Sequence, residues 1–293
     1  MTGSWPTPSR LLLNADVGEI AARVHGDGEA RLIALLDVAN VACGGHAGDD
    51  DTMRLTLARC RDAGVVVVAH PGYPDREGFG RRRLSLSPDE LRRSLLAQVG
   101  ALAVHADDAG VDIAALKPHG ALYHAVDDDD GTAAVLADVV DLLAATGRPR
   151  LPLVLAAAQR ATSPSRRLLA ARGVGVVGEV FVDRGVDGDG RLLPRGTPGA
   201  LLSVAEATTT TRAFAALFRR QDRVDRHVER RVEQDGGQHG GQHGGQLGGH
   251  RIGHPAPGVA RFATACVHGD GDEALAVAMA ARVELDAVFG SRR

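Results

Sequence analysis

Ile113-Ala114-Ala115-Leu116-Lys117-Pro118-His119-Gly120 is an apolar run that stops on a lysine, a proline, a histidine and a glycine. Its length and its proline-glycine punctuation predict a short buried strand over residues 113–117, with polar chemistry at the carboxyl end. Lys117 is the sole lysine among 34 Lys+Arg residues. Arginine keeps its proton and spreads its charge over a planar fork, whereas lysine is a compact point charge whose pKa can be moved. A lone lysine in an arginine-filled chain therefore predicts amine chemistry or a tight point contact with an anion.

The same grammar recurs outward in both directions. Apolar runs at residues 11–14, 38–42, 65–69, 151–155, 174–177 and 263–267 alternate with amphipathic stretches at 29–36, 51–63, 88–109, 132–145, 165–172, 205–220 and 272–288. That alternation is the signature of βα units and a parallel sheet. The helix at 88–109 has the clearest start, because Ser87-Pro88-Asp89-Glu90 supplies an N-cap, a first-turn proline and two first-turn acids. Polar, glycine-flanked residues follow successive strands: Asn14-Ala15-Asp16-Val17-Gly18-Glu19, Cys43-Gly44-Gly45-His46, His70-Pro71-Gly72-Tyr73, Glu179 with Asp183 and Arg184, and His268-Gly269-Asp270. Titratable groups at the carboxyl ends of parallel strands are where a (β/α) barrel places its active site. The expectation is one barrel domain over residues 1–293 with a shared site at that end.

One region departs from this pattern. From about residue 221 the chain turns Arg/Asp/Glu-rich and then runs into the Gly-Gly-Gln-His repeat of residues 236–250. Such glycine density predicts a flexible insertion at about 221–258, and a translated frameshift over residues 205–258 would equally leave the segment without a selected structure. Its histidines are read as incidental to low complexity.

Composition excludes several classes. The net charge of −3, with no basic stripe, argues against nucleic acid. No apolar run has membrane-span length. Three cysteines without CxxC spacing, and no signal-peptide pattern at the start, predict a cytoplasmic protein with reduced thiols. Gly173-Val174-Gly175-Val176-Val177-Gly178 matches GxGxxG, but its valines are the strand itself, so it is no dinucleotide fingerprint. No Gly-Lys-Ser/Thr and no Gly-x-Ser-x-Gly are present, which removes the P-loop and the nucleophile elbow.

What remains is a set of acids and histidines around one lysine. Asp16 and Glu19, three apart, suit a general base and its partner, because neighbouring carboxylates push their pKa values apart. Asp16, His46, His70 and His119 suit a divalent metal with oxygen and nitrogen ligands. Gly44-Gly45 and Gly78-Phe79-Gly80 would let backbone N–H groups approach a substrate oxygen. One of Arg81-Arg82-Arg83 faces an anionic substrate, and Cys43 is read as a buried thiol in preference to a nucleophile.

Taken together and in order, these segments resemble the LamB/YcsF family. The resemblance rests on Leu13–Glu19, Asn40–Asp49, Ala69–Asp75, Gly78–Arg82, Lys117–Tyr123, Glu179–Arg184, Leu193–Arg195 and Cys266–Asp270. It implies an α/β fold, a distorted TIM-like (β/α) barrel of the glycoside hydrolase/deacetylase type. It also implies ATP-dependent 5-oxoprolinase activity, in which 5-oxo-L-proline is opened to L-glutamate with hydrolysis of ATP, beside B and C partner subunits; the missing P-loop suggests that a partner binds the nucleotide. Within that frame Asp16, Glu19, Lys117 and His119 are the expected catalytic set, with Asp16 as base. Asn14, His46, His70, Tyr73, Arg81, Glu179 and Arg184 are the expected substrate-binding set. Ile20-Ala21-Ala22-Arg23 stands where the family usually carries a glycine- and phenylalanine-containing loop, and residues 204–261 do not look like the family. Two other functions compete: a metal-dependent deacetylase of an N-acetylated sugar, and a non-catalytic ligand-binding or scaffolding subunit.

Overall fold

Seven strands close into a parallel barrel: β1 (Leu12–Val17), β2 (Val38–Ala42), β3 (Val66–His70), β4 (Ile113–Leu116), β5 (Leu153–Ala156), β6 (Val176–Phe181) and β7 (Thr264–Val267). The order around the wall is the order along the chain, with β7 paired back onto β1. This computed structural model describes residue 5 and residues 9–157, 163–187, 191–236 and 263–291, with backbone only for 224–236. All seven expected strands are present.

Nine helices lie among the described residues: α1 (Ala21–Val24), α2 (Asp27–Ile33), α3 (Asp50–Ala63), α4 (Pro88–Ala109), α5 (Gly120–Asp128), α6 (Asp130–Ala145), α7 (Pro164–Ala171), α8 (Val204–Gly236) and α9 (Ala274–Phe289). Short α1 and α5 carry too few turns for a 3.6-residue periodicity to show in sequence. Ser87 and Asp49 each close a capping box, with Glu90 and Thr52 respectively.

Strand alternation sorts the core into two. Outward residues such as Leu13, Ala15, Val41, Val67, Leu116, Leu153, Leu155 and Val267 pack under the helices. Inward Leu12, Val38, Val68, Ala115, Val154 and Val177 form a separate plug inside the barrel, with Trp5 against it. Two residues further along, five of these six strands turn polar on the inner face, at Asn14, Asn40, His70, Lys117 and Glu179, with Ala156 of β5 the exception and Cys266 beside them, all buried. A period of two places both sets on the same inner face at different heights.

The expected boundary at 221 is corrected. Helix α8 continues to Gly236 because residues 204–235 contain neither glycine nor proline. Ala207, Thr211, Ala215 and Phe218, spaced four, four and three apart, are buried, and Phe218 meets Phe289 of α9 edge-to-face. These residues form the packing face of α8 against α9. The rest of the expected insertion, residues 237–258, lies outside the described residues. No helix among the described residues is long and apolar enough to cross a membrane.

Candidate active site

The polar layer of the barrel opens into a cavity of about 600 Å³ lined by Asp16, Glu19, His70, Lys117, His119 and His268 among others. Its floor is an ion network. Lys117 Nζ lies 3.1 Å from Asp16 Oδ1, 3.0 Å from Glu179 Oε2 and 3.1 Å from Cys266 Sγ. Asn40 Nδ2 donates to Asn14 Oδ1 (2.7 Å) and Asp16 Oδ1 (2.9 Å), and Asn14 Nδ2 donates to Thr264 Oγ1 (2.6 Å). Burial opposes the Lys117 charge, but Asp16, Cys266 and Glu179 hold its pKa well above the ordinary lysine value. Burial pushes the Asp16 carboxyl up, and the Lys117 and His70 charges override it, leaving Asp16 well below the carboxylate range. Lys117 is thus a fixed ammonium and Asp16 a fixed carboxylate.

Beside this floor stands a second group. Ligand atoms of Glu19, His46, His70 and His119 all lie within 4.8 Å of one another. His70 Nδ1 bonds the Lys117 carbonyl (2.7 Å) and His119 Nε2 bonds the Phe79 carbonyl (2.9 Å). A carbonyl only accepts, so each outer nitrogen is the protonated one. The inner nitrogens, His70 Nε2 and His119 Nδ1, meet at 3.0 Å. Two neutral imidazoles fixed in this way would set lone pair against lone pair, so a proton or a cation must lie between them. The Glu19 oxygen is 3.4 Å from His119 Nδ1 and 3.0 Å from His46 Nε2, and His46 Nδ1 is buried with no hydrogen bond. One carboxylate and three imidazoles, two of them braced at the outer nitrogen by backbone carbonyls, are a donor set that fits a borderline divalent ion.

Burial sets the proton affinities here. The Glu19 carboxyl is raised well above its usual value by burial, with Asp16 and Asp270 adding to it. Burial and the neighbouring His70 push His119 down to about 3, and burial with His119 and His70 holds His46 well below the usual imidazole value.

Local sequence explains the closeness. Phe79 takes φ of 53°, and Gly80 beside it has φ of 65° with a Cβ there falling 2.7 Å from His46 Cβ. The turn therefore packs directly over the imidazoles at Gly80, while Gly78 makes room for Asp75 and Arg82. Gly269 has the same function below, since a Cβ there would collide with the Asp16 carbonyl.

The expected site residues divide. Asn14, Asp16, Glu19, His46, His70, Lys117, His119 and Glu179 come together. Glu19 takes the place expected for Asp16 among the metal-type donors, because Asp16 is committed to the lysine. Arg81 lines the cavity, pairs with Asp270 and lies 4.8 Å over the Phe79 ring. Arg184 also lines it, but spends Nε on the Ala200 carbonyl (2.8 Å) and an Nη on the Leu193 carbonyl (2.6 Å), bracing its own loop. Tyr73 is not part of the site: its buried phenol sits by Arg83, Asp129 and Thr132. Cys43 is the inert thiol expected, pushed up to about 12 by burial. Sequence reasoning missed Tyr123, whose buried hydroxyl has no partner, and the pair of Asp183 and His268. Their signal was present, just past the strand ends, but without spacing to link them.

With this geometry in place, the sequence pattern of the LamB/YcsF family matches residues 11–232. The chain belongs to the LamB/YcsF family. It is 37% identical over 275 residues, 94% of this chain and 92% of the relative, to the A subunit of 5-oxoprolinase from Methylococcus capsulatus. It is 44% identical over 191 residues to the protein of the same name from Chloroflexus aggregans, covering 65% of this chain and 72% of the relative. In three dimensions it superposes on a "lactam utilization protein" from Thermus thermophilus with a TM-score of 0.71, at 30% identity over 97% of this chain and 99% of that one.

Proposed function

We propose that this LamB/YcsF chain is the A subunit of an ATP-dependent 5-oxoprolinase and opens the lactam of 5-oxoproline to glutamate. The observation that carries the reading is the buried Lys117 between Asp16 and Glu179, on the floor of a cavity walled by Glu19 and three histidines. It stands in a chain collinear with the A subunits of 5-oxoprolinases.

A lactam resists water because the amide is resonance-stabilised and water is a weak nucleophile. Glu19, whose carboxyl burial raises well above its usual value, is the stronger base of the two carboxylates and the one proposed to accept a proton from water. This reverses the roles expected from sequence: Asp16, held ionised by Lys117, is too weak a base. Lys117 sets a positive charge where negative charge develops on the carbonyl or its phosphorylated form, in surroundings that magnify it. Arg81, which lines the cavity and is paired with Asp270, would meet the substrate carboxylate by exchanging that partner. Glu19, His46, His70 and His119 would alternatively hold a divalent ion, which when bound would supply a Lewis acid and lower the pKa of its water in place of proton acceptance by Glu19. The chain has no P-loop, so ATP is bound and spent with the B and C subunits, in the cytoplasm, where three buried free thiols stay reduced.

Glutamate release from 5-oxoproline, by the chain alone and with B and C subunits, with and without ATP, tests this directly. Release only with partners and ATP is the expected result; none under any condition from folded protein sinks it. The donor set favours one second function, a metal-dependent deacetylase. Stoichiometric metal in the purified chain, with chelator-sensitive acetate release from N-acetylated sugars and no need for ATP, would establish that instead.

A further inference from the structure

The proton-accepting wall of the cavity is rich, but lactam opening also needs a donor. The ring nitrogen leaves only if it gains a proton as the C–N bond breaks, because an amide anion is a poor leaving group. On the β1–β4 side the N–H donors of His70, His119 and Lys117 are already engaged. The outer nitrogens of His70 and His119 are bonded to carbonyls, and the Lys117 ammonium is surrounded by Asp16, Glu179 and Cys266. The Tyr123 phenol is buried beside Glu179, which with burial makes it hold its proton more tightly than usual.

Just past β7, the strand paired with β1, His268 lines the same cavity. Its Nδ1 is 3.1 Å from Asp183 Oδ1, and its backbone N–H donates to Asp183 Oδ2 at 2.7 Å. One carboxylate thereby fixes both the ring and its backbone, and the Phe181 ring stacks on the imidazole at 5.6 Å. Nδ1 must carry the proton toward Asp183, and Nε2 has no hydrogen bond among the described residues. An imidazole oriented by a buried carboxylate, on a residue that lines the cavity and with its second nitrogen unbonded, is the arrangement that passes a proton to or from a substrate at Nε2.

We infer that His268 is the general acid that protonates the leaving ring nitrogen, with Asp183 as its positioning residue. The inference rests on the lactam-opening function proposed above. In the step, the oxygen of water bonds to the ring carbonyl carbon and its proton passes to Glu19. The C–N bond then breaks with its electron pair going to nitrogen, and the Nε2 proton of the His268 imidazolium goes to that nitrogen. Neutral imidazole and the amino group of the opened product remain, and the proton taken from water returns the imidazole to its starting state.

The test uses the full chain with its B and C subunits, ATP and 5-oxoproline. His268→Gln should lower kcat for glutamate release about 100-fold or more, with KM within about threefold of wild type and an unchanged melting temperature. Asp183→Asn should lower kcat about 10-fold or more by loosening the ring. The ¹⁵N isotope effect on kcat/KM at the ring nitrogen should rise in His268→Gln, because C–N cleavage becomes slower than the steps around it. A kcat within about threefold of wild type in His268→Gln overturns the inference. So does a loss carried by KM, or a fall in kcat with the isotope effect unmoved. If the His268→Gln chain does not fold, the same criteria apply to Asp183→Asn. Failure of the wild-type complex to make glutamate is a separate result, and removes the lactam function itself.

Discussion

The inside of the barrel holds two layers that differ by a single step of strand alternation. The lower one, Leu12, Val38, Val68, Ala115, Val154 and Val177, is apolar throughout. The upper one, Asn14, Asn40, His70, Lys117 and Glu179, is equally buried and polar except at Ala156. The lower layer stabilises by removing apolar area from water. The upper layer costs desolvation for every charge and is held only by mutual pairing. One layer should therefore yield in stability when cut, and the other in chemistry or in both.

The comparison breaks most sharply at Glu19. Glu19→Gln should cost about 10²–10⁴ in glutamate release while leaving the melting temperature close to wild type; activity within about tenfold would remove Glu19 from the proton transfer. Lys117→Met leaves Asp16 and Glu179 as buried charges without their cation, and should lose about 3–5 kcal/mol of unfolding free energy as well as turnover. A denaturant titration showing no loss would mean that the network tolerates its missing centre. In the lower layer, Leu12→Ala should lose about 2–5 kcal/mol with turnover per folded molecule unchanged. A large fall in turnover there would show that the two layers are not separable. Tyr123→Phe removes a hydroxyl with no hydrogen bond among the described residues, so stability should stay within about 0.5 kcal/mol and any fall in kcat would report a contact to substrate.

The smallest effect lies in the turn over the histidines. Asp75 accepts from Gly78 N–H at 3.0 Å and is paired with Arg82, whose hydrogen bonds hold its carboxyl down at about 2 against an ordinary 3.8. A folded pKa below the unfolded one means the contribution is complete above pH 3.8 and is lost as pH falls toward 2. Because the Arg82 side chain is exposed to solvent, the effect is modest. An Asp75→Asn chain should show a flatter decline of stability in that window, and an identical decline would show the turn is held by packing alone.

Seven strands, their parallel order and the polar residues at their ends were legible from the chain, since each depends on local runs and punctuation such as Leu116-Lys117-Pro118-His119-Gly120. The lone lysine was legible too, because it is an anomaly of composition. Tyr73 was misplaced, since a tyrosine just past a strand can point under a helix as easily as into the mouth. The tract from 221 was misjudged at its start, where charged residues without glycine or proline continue a helix.

By itself, the sequence determined which residues reach the carboxyl end of the barrel, because strand length and period two depend only on neighbours in the chain. Which carboxylate pairs with Lys117 and which joins the histidines was decided only by barrel closure. Asp16 and Glu19 are three residues apart, and closure brings Lys117 to 3.1 Å from one while three imidazoles gather round the other. Their opposite proton affinities follow from those neighbours and from burial. The link between Asp183 and His268, 85 residues apart, exists for the same reason: β6 and β7 are adjacent only in the folded wall.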